Sequence, residues 1–180
     1  MFPPSEFALC YTQDQIHRRV IQLAGEVTRW SDCTSQHLLV LPVLTGALFF
    51  FADLVRAMPV PIEAVPIRAR AYDTKNDQLS GAQVGIDVGD VTPYGRNVLV
   101  VDDICDTGRT LTTLKQALLK KGAREIKSAV LIRRTGGGAE FEPDWTGFEY
   151  PGKEWFVGYG MDTQGGWRNL PQIYTMNRGS

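Results

Sequence analysis

The stretch that decides the fold is Val98-Leu99-Val100-Val101-Asp102-Asp103-Ile104-Cys105-Asp106-Thr107-Gly108-Arg109-Thr110. It begins with an uninterrupted apolar, β-rich run, which is typical of a parallel strand covered on both faces. After Gly108, leucines recur at helical spacing as far as Gly122, a residue suited to closing a helix C-terminus. We therefore predict a buried strand, a short acidic loop and a helix.

The predicted loop lies where open α/β sheets bind ligands, between the carboxyl end of a strand and the N-terminus of a helix. Backbone N–H groups and the helix dipole favour an anion there, and Thr107, Arg109 and Thr110 add further donors. Asp102 and Asp103 would repel an anion, so we expect them to face sugar hydroxyls or a divalent metal. A solvated strand end is the simpler interpretation of the acids alone, but the whole loop favours a phosphorylated sugar.

Bulk composition is that of one ordinary globular domain, residues 1–180, with 43% hydrophobic and 22% charged residues. A net charge of −1 gives no support for nucleic-acid binding, and no apolar run is long enough to predict a membrane span. The cysteines lack metal-type spacing, and the N-terminus lacks the features of a signal peptide. These observations favour a reduced, cytoplasmic protein.

Strand patterns alternate with helical ones along the chain, which predicts an α/β fold with a parallel sheet. Thr12-Gln13-Asp14-Gln15 resembles a capping box that begins an amphipathic helix ending near Trp30. The segment 140–176 is expected to form a small cap over the carboxyl ends of the strands. The other predicted elements are strands at 37–44, 60–71, 84–88 and 128–133, a helix at 47–57 and a mobile loop at 73–83.

The stretch from Val100 to Thr110 resembles the phosphoribosyl pyrophosphate signature of the type I phosphoribosyltransferases. From about Leu38 to about Leu170 the chain resembles their hypoxanthine-guanine branch. The resemblance implies a parallel-sheet core with helices on both faces, a mobile loop and a small cap, or hood. It also implies purine salvage, in which the 5-phosphoribosyl group passes from phosphoribosyl pyrophosphate to hypoxanthine or guanine. Mg²⁺ as cofactor and a homodimer or homotetramer follow from the same resemblance.

Roles for the signature residues also follow from the resemblance. Asp106 would be the general base toward N7 of the purine, and residues 106–110 would hold the 5′-phosphate. The metal ligands would be Asp102, Asp103 and Asp162. The residues implied to bind phosphoribosyl pyrophosphate are Asp102, Asp103, Asp106, Thr107, Gly108, Arg109, Thr110, Thr45, Gly46 and Arg168.

Two further loops match the family. Leu44-Thr45-Gly46 matches a loop that binds pyrophosphate through backbone N–H groups, and whether its Leu44–Thr45 peptide is cis stays open. Ala71 and Tyr72 match the start of a loop that closes over the reaction, although many members have Ser in place of Ala71. An ordinary turn and an ordinary hairpin are the simpler interpretations of these two segments.

The base site is implied by an aromatic segment. Trp155 would stack on the purine, the backbone of Phe156 would hydrogen-bond to it, and Ile104 would form the opposite wall. Asp162 would lie near the base edge and a second magnesium ion. Without the resemblance, hydrophobic core is the more common role for such aromatic residues.

One residue departs from the pattern, because Glu142 stands where the resemblance places a lysine that donates to the 6-oxo group. An ionised carboxylate cannot donate a hydrogen bond. Three explanations stay open: Arg133, Arg134 or Lys153 supplies the donor, Glu142 faces solvent, or the base carries an amino group. The other function classes that we consider are a phosphoribosyltransferase for a different base and a non-catalytic relative that senses nucleotides.

Overall fold

The computed structural model describes residues 3–31, 37–72, 83–136 and 141–177. These residues form two sheets, a seven-stranded main sheet and a small sheet of three strands. In chain order the elements are β1 Ala8–Tyr11, α1 Gln13–Ser31, β2 Leu38–Leu44, α2 Leu48–Arg56, β3 Ile62–Ala64, β4 Ile67–Tyr72, β5 Gln83–Asp87, β6 Asn97–Cys105, α3 Arg109–Lys120, β7 Glu125–Arg134, β8 Trp145–Tyr150, β9 Trp155–Val157 and β10 Ile173–Met176.

The main sheet has the strand order β5-β4-β2-β6-β7-β8, with β3 also paired to β2. All its pairings are parallel except that of β5 with β4. The carboxyl ends of β2 and β6 therefore meet at one edge, where Pro42 lies beside Val101. The loops that follow these two strands are brought together at that edge.

Both faces of the main sheet are covered by helices, as the unbroken apolar strands predict. Leu39 and Leu41 of β2 pack with the leucines of α3, whereas Leu38 and Val40 pack with α1 and α2. Since successive strand residues point to opposite faces, α3 lies on one side of the sheet and the other two helices lie on the opposite side. The expected α/β architecture is confirmed.

Local signals in the sequence place the helix ends correctly. The Thr12 N–H donates to Gln15 Oε1 at 2.8 Å and the Gln15 N–H donates to Thr12 Oγ1 at 3.3 Å, which is the reciprocal pattern of a capping box. Gly108 precedes α3 and Gly122 follows it, both in the left-handed region at φ +78° and +82°. The predicted strand–loop–helix unit is therefore present.

Two strand predictions need correction. The strand at 98–101 continues through the acids to Cys105, because its parallel pairing with β7 runs on to Cys105 beside Arg133. The single strand expected at 60–71 is divided into β3 and β4. Pro66 lies between them and has no N–H to offer a neighbouring strand.

The expected cap also differs at its start. Residues 145–150 form β8 and join the main sheet, whereas β9 and β10 pair with β1 from the beginning of the chain. The weak pattern of β1 did not reveal this pairing, since it spans only four residues. The single-domain organisation stays a prediction. No helix in the described ranges is long and apolar enough to cross a membrane.

Candidate active site

The phosphate loop, residues 106–110, lines a cleft of about 230 Å³ at the carboxyl end of β6. Asp106, Thr107 and Arg109 are exposed, and Thr107 Oγ1 accepts a hydrogen bond from the Arg109 N–H at 3.4 Å. Gly108 and the first residues of α3 line the same cleft, so the helix N-terminus opens onto it. Hydroxyls, a guanidinium and free helix N–H groups together suit a phosphate dianion.

The two neighbouring acids of β6 lie behind this loop. Asp102 is buried, and its Oδ1 accepts the Asp103 N–H at 3.0 Å; Asp103 Oδ1 accepts the Ile104 N–H at the same distance. Burial, with the negative charge of Asp103 beside it, raises the pKa of Asp102 well above its usual range. Two carboxyl groups therefore lie side by side, and a bound cation or hydroxyl donors would stabilise their charged forms.

The loop after β2, residues 44–46, is in direct contact with these acids. A Cβ on Gly46 would overlap the Asp103 carboxylate, so only glycine allows this close approach. The Leu44–Thr45 peptide is cis, which answers the question left open by the sequence. The structure thus brings Gly46, and with it the neighbouring Thr45, to Asp103.

Arg168 reaches the same place from the segment between β9 and β10. Its Nη2 lies 2.6 Å from Asp162 Oδ1, and its Nη1 donates to the Gly160 carbonyl at 2.5 Å. The Arg168 charge also acts to lower the pKa of Asp103, against the larger effect of burial. Arg168 is therefore near Asp103 and is ion-paired with Asp162.

Of the expected base-binding residues, Ile104 and Phe156 share one hydrophobic core, and Trp155 precedes Phe156 in β9. Ile104 packs against the core that contains Phe156, which is fully buried. Trp155 is 37% exposed, and its Nε1 donates to the Asp162 carbonyl at 2.7 Å. An accessible indole beside buried aromatic residues suits a flat heterocycle.

Arg134 joins the phosphate loop to this aromatic segment. Its Nε lies 2.5 Å from Asp106 Oδ1, and its Nη1 and Nη2 donate to the carbonyls of Gly152 and Glu154, each at 2.6 Å. The guanidinium carbon also lies 4.5 Å from the centre of the Phe156 ring. These contacts fix a cation between the expected general base and the expected base pocket.

Glu142 does not occupy that position. Its side chain is 77% exposed and its Oε1 lies 2.9 Å from Arg133 Nη1, and Glu149 Oε1 lies 3.5 Å from the same nitrogen. Lys153 is exposed. Of the candidate donors, Arg134 is the one that the structure places beside Asp106.

Three residues of the site lack a clear signal in the sequence. In the sequence, Arg134 is one of three candidate donors to the 6-oxo group. Only the strand register selects it, because Ile104 lies beside Ile132 and the residues two positions further along, Asp106 and Arg134, therefore lie on the same face.

Tyr159 precedes Gly160, which meets the Gly46 carbonyl oxygen, and its hydroxyl donates to Asp53 Oδ2 at 2.7 Å. Both residues are absent from the predicted set, although Gly158-Tyr159-Gly160 is an unusual pattern for a strand end.

The expected closing loop lies partly within the described residues. Ala71 and Tyr72 lie in β4, opposite Val84 and Gln83 of β5. Of the mobile loop predicted at 73–83, Gln83 is the first residue of β5, and residues 73–82 lie outside the described residues.

Comparisons with known proteins show the family to which the chain belongs. The family described as the phosphoribosyl transferase domain matches residues 12–164. The chain is similar to the hypoxanthine-guanine phosphoribosyltransferase of Mycobacterium tuberculosis, at 30% identity over 98% of this chain and 89% of the relative. Its similarity to the enzyme of that name from Aquifex aeolicus is 35% identity over 92% of each chain.

Solved structures show the same likeness. The hypoxanthine phosphoribosyltransferase of Trypanosoma cruzi in complex with the product IMP matches with a TM-score of 0.85 and 26% identity, over 98% of both chains. A hypoxanthine-guanine phosphoribosyltransferase from Bacillus anthracis matches with a TM-score of 0.81 and 29% identity, over 94% of this chain and 97% of the other. The chain belongs to the phosphoribosyltransferase family, and within it to the hypoxanthine-guanine phosphoribosyltransferases.

Proposed function

We propose that this enzyme transfers the 5-phosphoribosyl group of phosphoribosyl pyrophosphate to hypoxanthine or guanine, giving IMP or GMP and pyrophosphate. The observation that carries the proposal is the Asp106–Arg134 pair, which places a carboxylate and a fixed guanidinium together between the phosphate loop and the aromatic segment. The carboxylate suits proton transfer, and the guanidinium suits recognition of a base with acceptor atoms.

The donor substrate would occupy the edge where the two loops meet. Residues 106–110 offer N–H groups and hydroxyls to the 5′-phosphate, and Asp102 and Asp103 offer carboxylates to the ribose hydroxyls. Thr45, Gly46 and Arg168 would hold the pyrophosphate, since Gly46 touches Asp103 and the Arg168 charge acts on the same carboxyl. The leaving group would thereby lie on the opposite side of the sugar from the 5′-phosphate.

The acids also fit a magnesium ion. Mg²⁺ is usually held by one or two carboxylates together with substrate phosphate oxygens. The described residues contain no group of three or more His, Cys, Asp or Glu side chains that could hold a metal ion, so substrate oxygens would have to complete the set of ligands. Asp102 and Asp103 supply hard oxygen ligands in a buried setting, and Asp162 would serve a second ion. When bound, the metal would neutralise charge on the pyrophosphate oxygens.

Arg134 provides the discrimination between bases. A guanidinium has five N–H donors and no acceptor, and three of the five are used by Asp106 and the carbonyls of Gly152 and Glu154. The remaining donors match the O6 acceptor of a 6-oxopurine, whereas the 6-amino group of adenine would place N–H against N–H. Arg134 therefore replaces the lysine that the resemblance led us to expect at Glu142.

In the reaction, N9 of the purine attacks C1′ of the ribose as the C1′–oxygen bond to pyrophosphate breaks, and the pyrophosphate leaves with the bonding electrons. The purine loses one proton, which Asp106 accepts from N7. Positive charge builds on the sugar ring during this step, and the carboxylates of Asp102 and Asp103 lie where they would stabilise it. The remaining contribution of the chain is orientation of the two substrates.

The test is an assay of pyrophosphate release from phosphoribosyl pyrophosphate with hypoxanthine, guanine, xanthine and adenine supplied one at a time. We expect turnover with hypoxanthine, guanine or both, and little with adenine. Turnover with adenine alone would assign the enzyme to a different base. Tight binding of phosphoribosyl pyrophosphate without turnover on any of the four would favour the nucleotide-sensing relative.

Assembly and location stay predictions of the resemblance. A homodimer or homotetramer would use apolar surface, and α2 exposes Leu48 and Phe49 at 43% and 39%. Sedimentation of the purified chain measures this directly. A cytoplasmic location is what we expect of an enzyme that uses these substrates.

A further inference from the structure

The Gly158-Tyr159-Gly160 turn after β9 has a backbone that side chains rarely accept. All three residues lie in the left-handed region, at φ +97°, +48° and +101°, and Tyr159 is the member that bears a side chain. A bulky residue in this region carries backbone strain, and such strain persists where surrounding contacts hold it. The contacts of Tyr159 and Gly160 therefore show what the turn is held against.

Tyr159 is held against the helix that follows the Thr45–Gly46 loop. Its ring is buried, and its hydroxyl donates a hydrogen bond to Asp53 Oδ2 on α2 at 2.7 Å. The ring also lies 6.4 Å from that of Phe49, in the first turn of the same helix. Burial and the Asp53 carboxylate raise the pKa of Tyr159, so the phenol remains a donor throughout the working pH range.

Gly160 continues the contact on the loop itself. A Cβ on Gly160 would overlap the Gly46 carbonyl oxygen, so the turn and the loop meet backbone to backbone. The Gly160 N–H donates to the Arg168 carbonyl at 2.9 Å, and its own carbonyl accepts from Arg168 Nη1. One turn therefore touches the two groups that would hold pyrophosphate.

We propose that Tyr159 is a positioning residue, whose hydrogen bond to Asp53 fixes the Thr45–Gly46 loop at the distance from Arg168 that pyrophosphate requires. The inference rests on the proposed function, because it assigns pyrophosphate to these groups. Tyr159 itself does not touch the reacting atoms. Its loss should weaken use of phosphoribosyl pyrophosphate while leaving recognition of the purine unchanged.

The experiment compares Tyr159→Phe, Asp53→Ala and Asp53→Asn in the full chain. We expect Tyr159→Phe and Asp53→Ala each to raise the KM for phosphoribosyl pyrophosphate about tenfold, because each removes a hydrogen bond to a charged partner. The KM for hypoxanthine should stay within about twofold of wild type. Asp53→Asn keeps an oxygen acceptor and should restore a value near wild type. The double variant Tyr159→Phe, Asp53→Ala should be no worse than either single one.

Tyr174→Phe is the matched control. Tyr174 is also buried, but its hydroxyl donates to Gln172 two residues away and not to α2. Thermal unfolding measures whether each variant is folded at the assay temperature. If Tyr159→Phe is unfolded, the comparison of Asp53→Ala with Asp53→Asn tests the inference instead. An unchanged KM for phosphoribosyl pyrophosphate in folded Tyr159→Phe or Asp53→Ala overturns the inference. The inference also fails if this KM rises equally in Tyr174→Phe, or if it is as high in Asp53→Asn as in Asp53→Ala.

Calorimetric titration of the enzyme with phosphoribosyl pyrophosphate, with MgCl₂ present and no base added, separates this inference from the proposed function. A wild-type chain that binds the sugar but turns over no purine would refute the function. The tenfold loss of affinity in Tyr159→Phe, set against Tyr174→Phe, would still show the positioning role.

Discussion

Arg134 Nε lies 2.5 Å from Asp106 Oδ1, and the same guanidinium lies over the ring of Phe156. This relationship joins the residue expected to remove a proton from the purine to the segment expected to bind the purine. The Asp106 side chain remains 62% exposed in the pair, so its second oxygen is accessible to substrate.

Replacement of Asp106 by asparagine tests its role as general base. Asparagine keeps the shape and can still accept from Arg134, but it does not take a proton at working pH. We expect kcat to fall about 10²–10⁴-fold. Calorimetry should show phosphoribosyl pyrophosphate bound within a few-fold of wild type, and near wild-type kcat would refute the assignment.

Replacement of Arg134 by methionine tests base recognition. The variant keeps an unbranched side chain but loses the charge and all the donors, so kcat/KM for hypoxanthine should fall about 10²-fold, as expected when a charged group in a site loses its partner. Steady-state kinetics measures this value.

Arg133→Met is the control for that variant. Arg133 is the same residue type one position earlier, and it pairs with the exposed acids Glu142 and Glu149. Because exposed ion pairs contribute little, we expect its kcat/KM within about threefold of wild type. Equal losses in the two variants would contradict the role given to Arg134.

Gly46→Ala tests the close approach of the loop to the acids. The added methyl group would overlap the Asp103 carboxylate, so the loop or the acid must shift, and the KM for phosphoribosyl pyrophosphate should rise at least about tenfold. Gly25→Ala is the matched control: it lies in α1 with only ordinary contact at 3.7 Å, and it should stabilise the fold by about 0.5–1 kcal/mol. Kinetics and urea unfolding of both variants measure these effects, and an unaltered KM in Gly46→Ala would argue against the loop assignment.

The buried acids predict a pH dependence of stability. The fold raises the pKa of Asp102, so the folded chain holds its proton more tightly than the unfolded chain does. This contribution is fully present below about pH 4, the pKa range of an unfolded Asp, and is lost as the pH rises toward the raised value. The free energy of unfolding of the ligand-free chain should therefore decline over that window relative to Asp102→Asn, in which residue 102 does not titrate. Parallel curves for the two proteins would refute the shift.

Much of the fold follows from local patterns in the sequence. Gly108 and Gly122 mark the ends of α3, and the capping box at Thr12 marks the start of α1, because each signal depends on neighbours along the chain. The short strand β1 was not predicted, since its partner β10 is more than 160 residues away. Register between distant strands is set by packing, which a single sequence does not display.

The same distinction explains the site. The signature residues could be identified because they are contiguous, whereas Arg134 was one of three candidates until the pairing of β6 with β7 placed it beside Asp106. The resemblance placed Glu142 at the lysine position of the base site and left open whether it faces solvent; the structure shows its side chain exposed and paired with Arg133. Tyr159 and Asp53 are 106 residues apart, so their contact is visible only in the fold.

The central claim is tested most directly by following one reaction to its product. Purified enzyme is incubated with MgCl₂, phosphoribosyl pyrophosphate and hypoxanthine, and the nucleotide and pyrophosphate are both quantified by chromatography and mass. The account predicts IMP and pyrophosphate in equal amounts, with little or no AMP when adenine replaces hypoxanthine. Consumption of phosphoribosyl pyrophosphate without IMP, or a nucleotide formed from adenine but not from hypoxanthine or guanine, would contradict it.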